Sequence, residues 1–191
     1  LLFSENNAIG VNPDGGIGGA VAVNGYDTKI TDVSFDLNQA IKGGAVYVNG
    51  VLNSLNYTNF TSNSAIQGGA VFINAFNTTI LGCELDNNTA THDLRFSVST
   101  ELDKLTTFGG GVAIQGDDVN IINSTFTNNT AVAKYENGGL GGAIAVNGSD
   151  NFIFNSSFKD NEAIKGGAFY FEGGFTLIDE SNFTDNHAIK G

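Results

Sequence analysis

The stretch 158–168, FKDNEAIKGGA, returns as FDLNQAIKGGA at 35–45 and as FTSNSAIQGGA at 60–70. Self-similarity at a fixed period decides an architecture before any residue-level reading. A Phe-x-x-Asn element recurs at Phe3/Asn6, Phe35/Asn38, Phe60/Asn63, Leu85/Asn88 (with Leu for Phe), Phe126/Asn129, Phe158/Asn161 and Phe183/Asn186. A Gly-Gly element begins at Gly18, Gly43, Gly68, Gly109, Gly141 and Gly166. The step from each Gly-Gly to the next Phe or Leu85 is always 17 residues, and the step back to Gly-Gly is 8 in the plain copies, which makes a coil of 25. The longer copies are all longer in that second step, at 10–17, 91–108 and 132–140. One constant arc and one expandable corner describe a solenoid with a single loop site. Residues 1–191 are therefore expected to be one segment of a longer repeat protein, continuing into further repeats or a cap.

Each coil contains β-type runs. After Gly-Gly come VAV, VYV, VFI, VAI, IAV and FYF, alternating runs followed by turn residues such as Asn24-Gly25 and Asn49-Gly50. Val21/Val23, Val46/Val48, Val71/Ile73, Val112/Ile114, Ile144/Val146 and Phe169/Phe171 are expected to point inward. Ala22, Tyr47, Phe72, Ala113, Ala145 and Tyr170, lying between them, are expected to face out. An aliphatic column (Ile30, Leu55, Ile80, Ile121, Ile153, Ile178) and a small-residue column (Val33, Thr58, Cys83, Ser124, Ser156, Ser181) follow, three residues apart. That spacing breaks the period of two and demands a bend.

Strands in so short a coil must pair with the next coil, which sets identical positions above one another about 4.8 Å apart and gives a rod roughly 30 Å long. The expected fold is all-β: a right-handed parallel β-helix with three short strands per coil, its hand following from strand twist. The Asn of Phe-x-x-Asn (Asn38, Asn63, Asn88, Asn129, Asn161 and Asn186) reads as an internal amide ladder. Phe35, Phe60, Phe126, Phe158 and Phe183 read as core, and Gly-Gly as a site of positive φ or of close coil-to-coil approach. Cys83, in a column of Ser, Thr and Val, reads as a buried isostere rather than a nucleophile. His187 shares a column with Gln39, Ser64, Thr89, Thr130 and Glu162, which reads as solvent-facing.

Charged residues make up only 15% of the chain, yet the net charge is −12. That argues against nucleic acid, which requires clustered Lys and Arg, and against an anionic membrane surface. No apolar run approaches the roughly 20 residues of a membrane-spanning helix. Gly-Gly has no following Lys-Ser/Thr for phosphate. The Gly-rich run at 15–20 lacks the Asp of a calcium-binding nonapeptide. Asp118 and Asp150 match in adjacent coils and form a candidate cation bracket, but Asp is ordinary in turns. Calcium has no further support, and no cofactor is expected. Asn-x-Ser/Thr sequons begin at Asn56, Asn59, Asn77, Asn87, Asn123, Asn128, Asn147, Asn155 and Asn182, compatible with an exported protein.

Phe-x-x-Asn paired with Gly-Gly-Ala-Ile/Val resembles the repeat of the chlamydial polymorphic outer-membrane proteins. The fuller wording, INSTFTNNTA at 122–131 and FNSSFKDNEAIKGGA at 154–168, is similar to adhesin-like surface proteins of methanogenic archaea. The resemblance covers the chain apart from its insertions. It implies an extracellular, cell-surface β-helix in a modular, non-catalytic protein that attaches to cells or surfaces. Its partner would be a host-cell, microbial or surface glycan or protein.

The competing reading is a carbohydrate-active β-helix, a polysaccharide lyase or hydrolase. Such sites need converging carboxylates, whereas the pair Asp117-Asp118 sits in a turn and Arg95, the sole arginine, in a loop. An acidic chain would also repel a polyuronate. A passive stalk is the third reading. Ice binding wants a flat Thr-x-Thr array, which no column supplies. For a ligand, the insertions 91–108 and 132–140 are the expected site, since loops on a rigid scaffold carry function. They leave the same corner of consecutive coils and should touch. They hold His92, Arg95, Phe96, Lys104, Lys134 and Tyr135, a concentration of basic and aromatic groups. The rival surface is the outward row Tyr47, Phe72 and Tyr170, interrupted by Ala113 and Ala145.

Overall fold

Every strand pairs in parallel with the strand one coil on, like residue over like: Phe35 lies between Phe3 and Phe60, and Ile121 between Ile80 and Ile153. The structure, a computed structural model, describes residues 1–95, 101–134 and 138–190. Its strands form a parallel β-helix of four sheets, of seven, five, six and six strands. The aromatic sheet runs from Leu2–Ser4 through Asn59–Thr61 and Thr125–Thr127 to Asn182–Thr184. A short alanine sheet runs from Ser64–Ala65 to His187–Ala188, a valine sheet from Val21–Tyr26 to Phe169–Phe171, and an isoleucine sheet from Lys29–Thr31 to Thr176–Asp179.

The coil thus has four strands where three were expected, and its backbone corners show why. Left-handed residues fall between the isoleucine and aromatic sheets (Asp32, Tyr57, Gly82, Asn123, Asn155, Glu180) and supply the expected bend. A second set (Glu5, Leu37, Ser62, Asn87, Asn128, Asp160, Asp185) falls inside Phe-x-x-Asn itself. That corner turns the chain so that Phe and Asn, three apart, both point inward, and it separates the two-residue alanine strand from the aromatic one. Two residues are too few to show any alternation, so the sequence pattern hides this strand.

The core is a set of stacks. Phe35, Phe60, Phe126 and Phe158 are fully buried, with Leu85 taking the aromatic place in one coil. Adjacent rings lie nearly parallel, Phe35 and Phe60 at 5.2 Å between centroids and Phe126 and Phe158 at 4.9 Å. Beside them runs the amide ladder. Asn63 Nδ2 donates to Asn88 Oδ1 (3.0 Å) and to the Phe35 carbonyl (3.0 Å), and the Asn63 backbone N–H donates to the same Asn88 Oδ1 (3.0 Å). The pattern repeats from Asn6 to Asn186. Each interior amide therefore has two donors and a doubly used acceptor satisfied without water, which lets a polar column sit in the core.

The small-residue column works the same way. Ser124 Oγ donates to the Ile122 carbonyl two residues back (2.9 Å) and accepts from the Cys83 N–H (3.1 Å). Cys83 is buried, as expected of an isostere in this column, and burial pushes its thiol up to about 11. Both readings of Gly-Gly hold, one per glycine. Gly68 has φ +65°, and a Cβ on Gly69 would overlap the Gly110 carbonyl oxygen of the next coil.

Three burial expectations change. Phe183, read as core, and Phe171, read as inward, are 47% and 39% exposed, because they lie on the last strands of their sheets with a stacked neighbour on one side only. Phe72, Ala113 and Ala145, placed on the outer face of the valine sheet, are 1%, 0% and 0% exposed. They are covered by Phe108 and Leu140, which lie in a single-residue parallel ladder with Gln67 and Lys165 just before each Gly-Gly. Gln39, expected in solvent, is buried too, because the insertion after Thr91 folds over it. His187 is exposed as expected.

Candidate functional site

The coil releases the longest insertion after a last ladder bond, Thr91 N–H to the Ala65 carbonyl (2.7 Å). The chain rejoins at Phe108, and the shorter insertion, after Val132, rejoins at Leu140. Phe108 and Leu140, assigned to the loops by spacing, thus belong to the coil. Leu94, Leu102 and Leu105 pack on Ile41 and Ile66, so the first insertion is tied to the corner by its own apolar cluster. A short 3-10 turn, Leu102–Lys104, buries Leu102 completely, and the Arg95 N–H donates to Gln39 Oε1 (3.0 Å).

The two insertions touch, as their shared corner requires. Lys134 Nζ meets Asp103 Oδ2 at 3.0 Å, and Thr107 Oγ1 accepts from the Gly139 N–H at 2.7 Å. Between them lies a cavity of about 310 Å³ lined by Thr91, His92, Asp93, Asp103, Val132, Ala133 and Lys134. Both ring nitrogens of His92 are buried with no hydrogen-bond partner. Unpaired buried polar atoms are uncommon, and they single out His92 among the residues around this cavity.

Of the six residues expected at a binding site, His92 and Lys134 line this cavity together. Arg95 is exposed and does not line it, and Lys104 points to Glu101 at 2.8 Å. Phe96 and Tyr135 lie outside the described residues. The expected concentration of basic groups is corrected in one respect: Lys104 and Lys134 each meet a carboxylate from the same pair of insertions. Asp103 and Glu101 were the residues missed. The signal for Glu101 was present in its spacing from Lys104, three residues on, which brings opposite charges together on one helical turn. The rival row does not form a strip. Tyr47 and Phe72 stack at 5.5 Å, but the face between Phe72 and Tyr170 is roofed by Phe108 and Leu140.

Asp118 and Asp150 occupy left-handed turn positions at φ +60° and +57°. Among the described residues no group of three or more His, Cys, Asp or Glu side chains is placed to hold a metal ion. No described helix is long and apolar enough to cross a membrane.

Compared with known proteins, residues 123–147 match the family model of the Chlamydia polymorphic membrane protein repeat. The matched stretch runs from the Phe126-Thr-Asn-Asn129 corner through the second insertion to Gly141-Gly142-Ala143-Ile144. This chain therefore carries a repeat of that type within a parallel β-helix. No curated protein and no solved structure matches it.

Proposed function

We propose that this chain is part of an extracellular, cell-surface β-helix that attaches to cells or surfaces and has no catalytic role, its ligand a glycan or protein of a host cell, a microbe or another surface. The observation that carries this reading is the division of labour within the coil. A fully satisfied amide ladder and stacked rings make an unvarying rod, while all extra length is gathered at one corner, where two insertions join around a cavity with unpaired His92 nitrogens. A rod that holds loops out from a surface is what attachment requires, and the match to a membrane-protein repeat supports a place at the cell surface. The sequon asparagines support export and glycosylation, since all of them are exposed or half-buried and none belongs to the buried ladder.

The test is whole-cell and glycan-array binding by this chain and by a variant with both insertions cut back to the plain spacing between Phe and Gly-Gly. Binding that disappears with the insertions, while the β-helix persists by circular dichroism, is expected. Equal binding by both proteins would move attachment off this corner. Turnover of a polysaccharide without binding to cells would replace attachment by catalysis, and inertness in every assay would leave a stalk.

A further inference from the structure

The interruption that spoils the aromatic row creates a different feature. Five residues separate the single-residue ladder from the outer face of the valine sheet, and the two columns exchange bulk. Lys42, Gln67 and Lys165 stand beside Tyr47, Phe72 and Tyr170, whereas Phe108 and Leu140 stand beside Ala113 and Ala145. The large apolar side chains lean over the small ones and bury them completely. The result is a low apolar floor two coils wide, with higher walls on the flanking coils.

That floor is the base of a second cavity, of about 280 Å³, separate from the one between the insertions. Gln67 and Thr106 close one end, and Lys165, Tyr170 and Glu172 the other. Gln115 and Asn147, at matching positions just after their strands, form the long side. The Tyr170 hydroxyl donates to Glu172 Oε2 at 3.2 Å. Burial and then the Glu172 carboxylate raise the Tyr170 pKa, so the phenol stays a donor.

The chemistry of this lining is specific. Gln115 and Asn147 each present one carbonyl acceptor and an NH₂ with two donors, the paired groups that meet vicinal hydroxyls, while Gln67 gives one of its donors to the Thr106 carbonyl at 3.2 Å. Tyr170 and Phe108 offer rings whose faces accept the C–H side of a sugar. One ammonium, Lys165, and one carboxylate, Glu172, leave the cavity without net charge. The volume sits just below the roughly 300–1,000 Å³ of small-molecule sites, enough for a short ligand only.

We propose that this recess on the valine sheet is a binding subsite for a short neutral saccharide, gripped by the amides of Gln115 and Asn147 and stacked against Tyr170. This does not rest on the attachment reading, because binding is read in solution with free sugars.

Saturation-transfer NMR on this chain tests it, with a panel of glucose, galactose, mannose, N-acetylglucosamine, cellobiose and lactose, and glucuronate as the charged counterpart. At least one neutral sugar should receive saturation at millimolar concentration. The Gln115→Ala/Asn147→Ala double variant should weaken that binding at least tenfold, about 1.4 kcal/mol. Both side chains are exposed, so the double variant keeps the fold, checked by its melting temperature. His92→Ala, in the other cavity, should leave the affinity unchanged. No transfer to any neutral sugar, unaltered binding by the double variant, equal loss in His92→Ala, or preference for glucuronate would each overturn the proposal.

Discussion

Replacing Asn129 by Ala removes one rung from the middle of the amide ladder, and the structure says what is lost. Asn129 Nδ2 donates to the Leu85 carbonyl (2.9 Å) and to Asn161 Oδ1 (3.0 Å). Its Oδ1 accepts from the Asn88 N–H (3.1 Å) and from Asn88 Nδ2 (3.0 Å). The Asn88 N–H has no other acceptor, so Asn129→Ala strands a fully buried donor, at about 1–3 kcal/mol. The other three bonds join groups that keep a second partner, Asn88 Nδ2 retaining the Phe60 carbonyl and Asn161 Oδ1 the Asn129 N–H. These contribute about 0.5–1.5 kcal/mol each before relaxation. The expected loss is about 3–5 kcal/mol, among the largest that single substitutions produce.

Asn129→Asp separates shape from donors. The side chain still fits and still accepts from Asn88, but it sets an oxygen against the Leu85 carbonyl and Asn161 Oδ1. It should destabilise at least as strongly as Ala, with the loss easing at low pH as the carboxyl takes up a proton and regains one donor. Urea unfolding followed by circular dichroism, at constant m-value, gives both numbers, with Thr127→Ala on the outer face as a near-neutral control. A loss below about 1 kcal/mol in both variants would refute the claim that the ladder, rather than the stacked rings beside it, holds this corner.

Gly69→Ala should destabilise by at least about 2 kcal/mol, because the new methyl overlaps backbone, the Gly110 carbonyl, that only coil separation can relieve; thermal unfolding reads this directly. Cys83 supplies a pH dependence. Its thiol is raised from 9.0 to about 11 by burial, so the folded state holds the proton more tightly than the unfolded chain. The associated stability is complete below pH 9 and is lost as pH rises toward 11, by about 2–3 kcal/mol. Cys83→Ser, matching Ser124 and Ser156 in the column, should be near neutral at pH 7 and abolish that slope in urea titrations. Leu102→Ala should release the longest insertion from Ile41 and Ile66, quickening proteolysis within 91–106 while leaving the melting temperature of the coil within a few degrees.

Repetition made most of the fold legible. Identical residues at a fixed period must stack in a parallel coil, so the Phe and Asn columns, the Gly-Gly turn and the bend before Cys83 could all be read from spacing. What escaped was context that a column does not carry. The alanine strand is two residues long, and the left-handed corner before it carries Glu5, Leu37 and Ser62 in the first coils but Asn87, Asn128, Asp160 and Asp185 in the others, so no single residue type marks it down the column. The burial of Phe72 and Ala113 depends on Phe108, a residue in a different column that spacing had placed in a loop. The shared corner of the insertions was legible because register fixes where each loop leaves. Their charge pairing was not, since Lys134–Asp103 joins two loops whose paths no period constrains.

The most direct test of the account is adhesion by the rod itself. Beads coated with this chain at fixed density are pressed on cells and on immobilised glycans in flow, with soluble chain as competitor and released reducing ends measured in the same chamber. The account predicts that coated beads resist detachment, that soluble chain abolishes the resistance, and that no sugar is released. Detachment equal to that of bare beads, or release of reducing ends that follows the coating density, would contradict it.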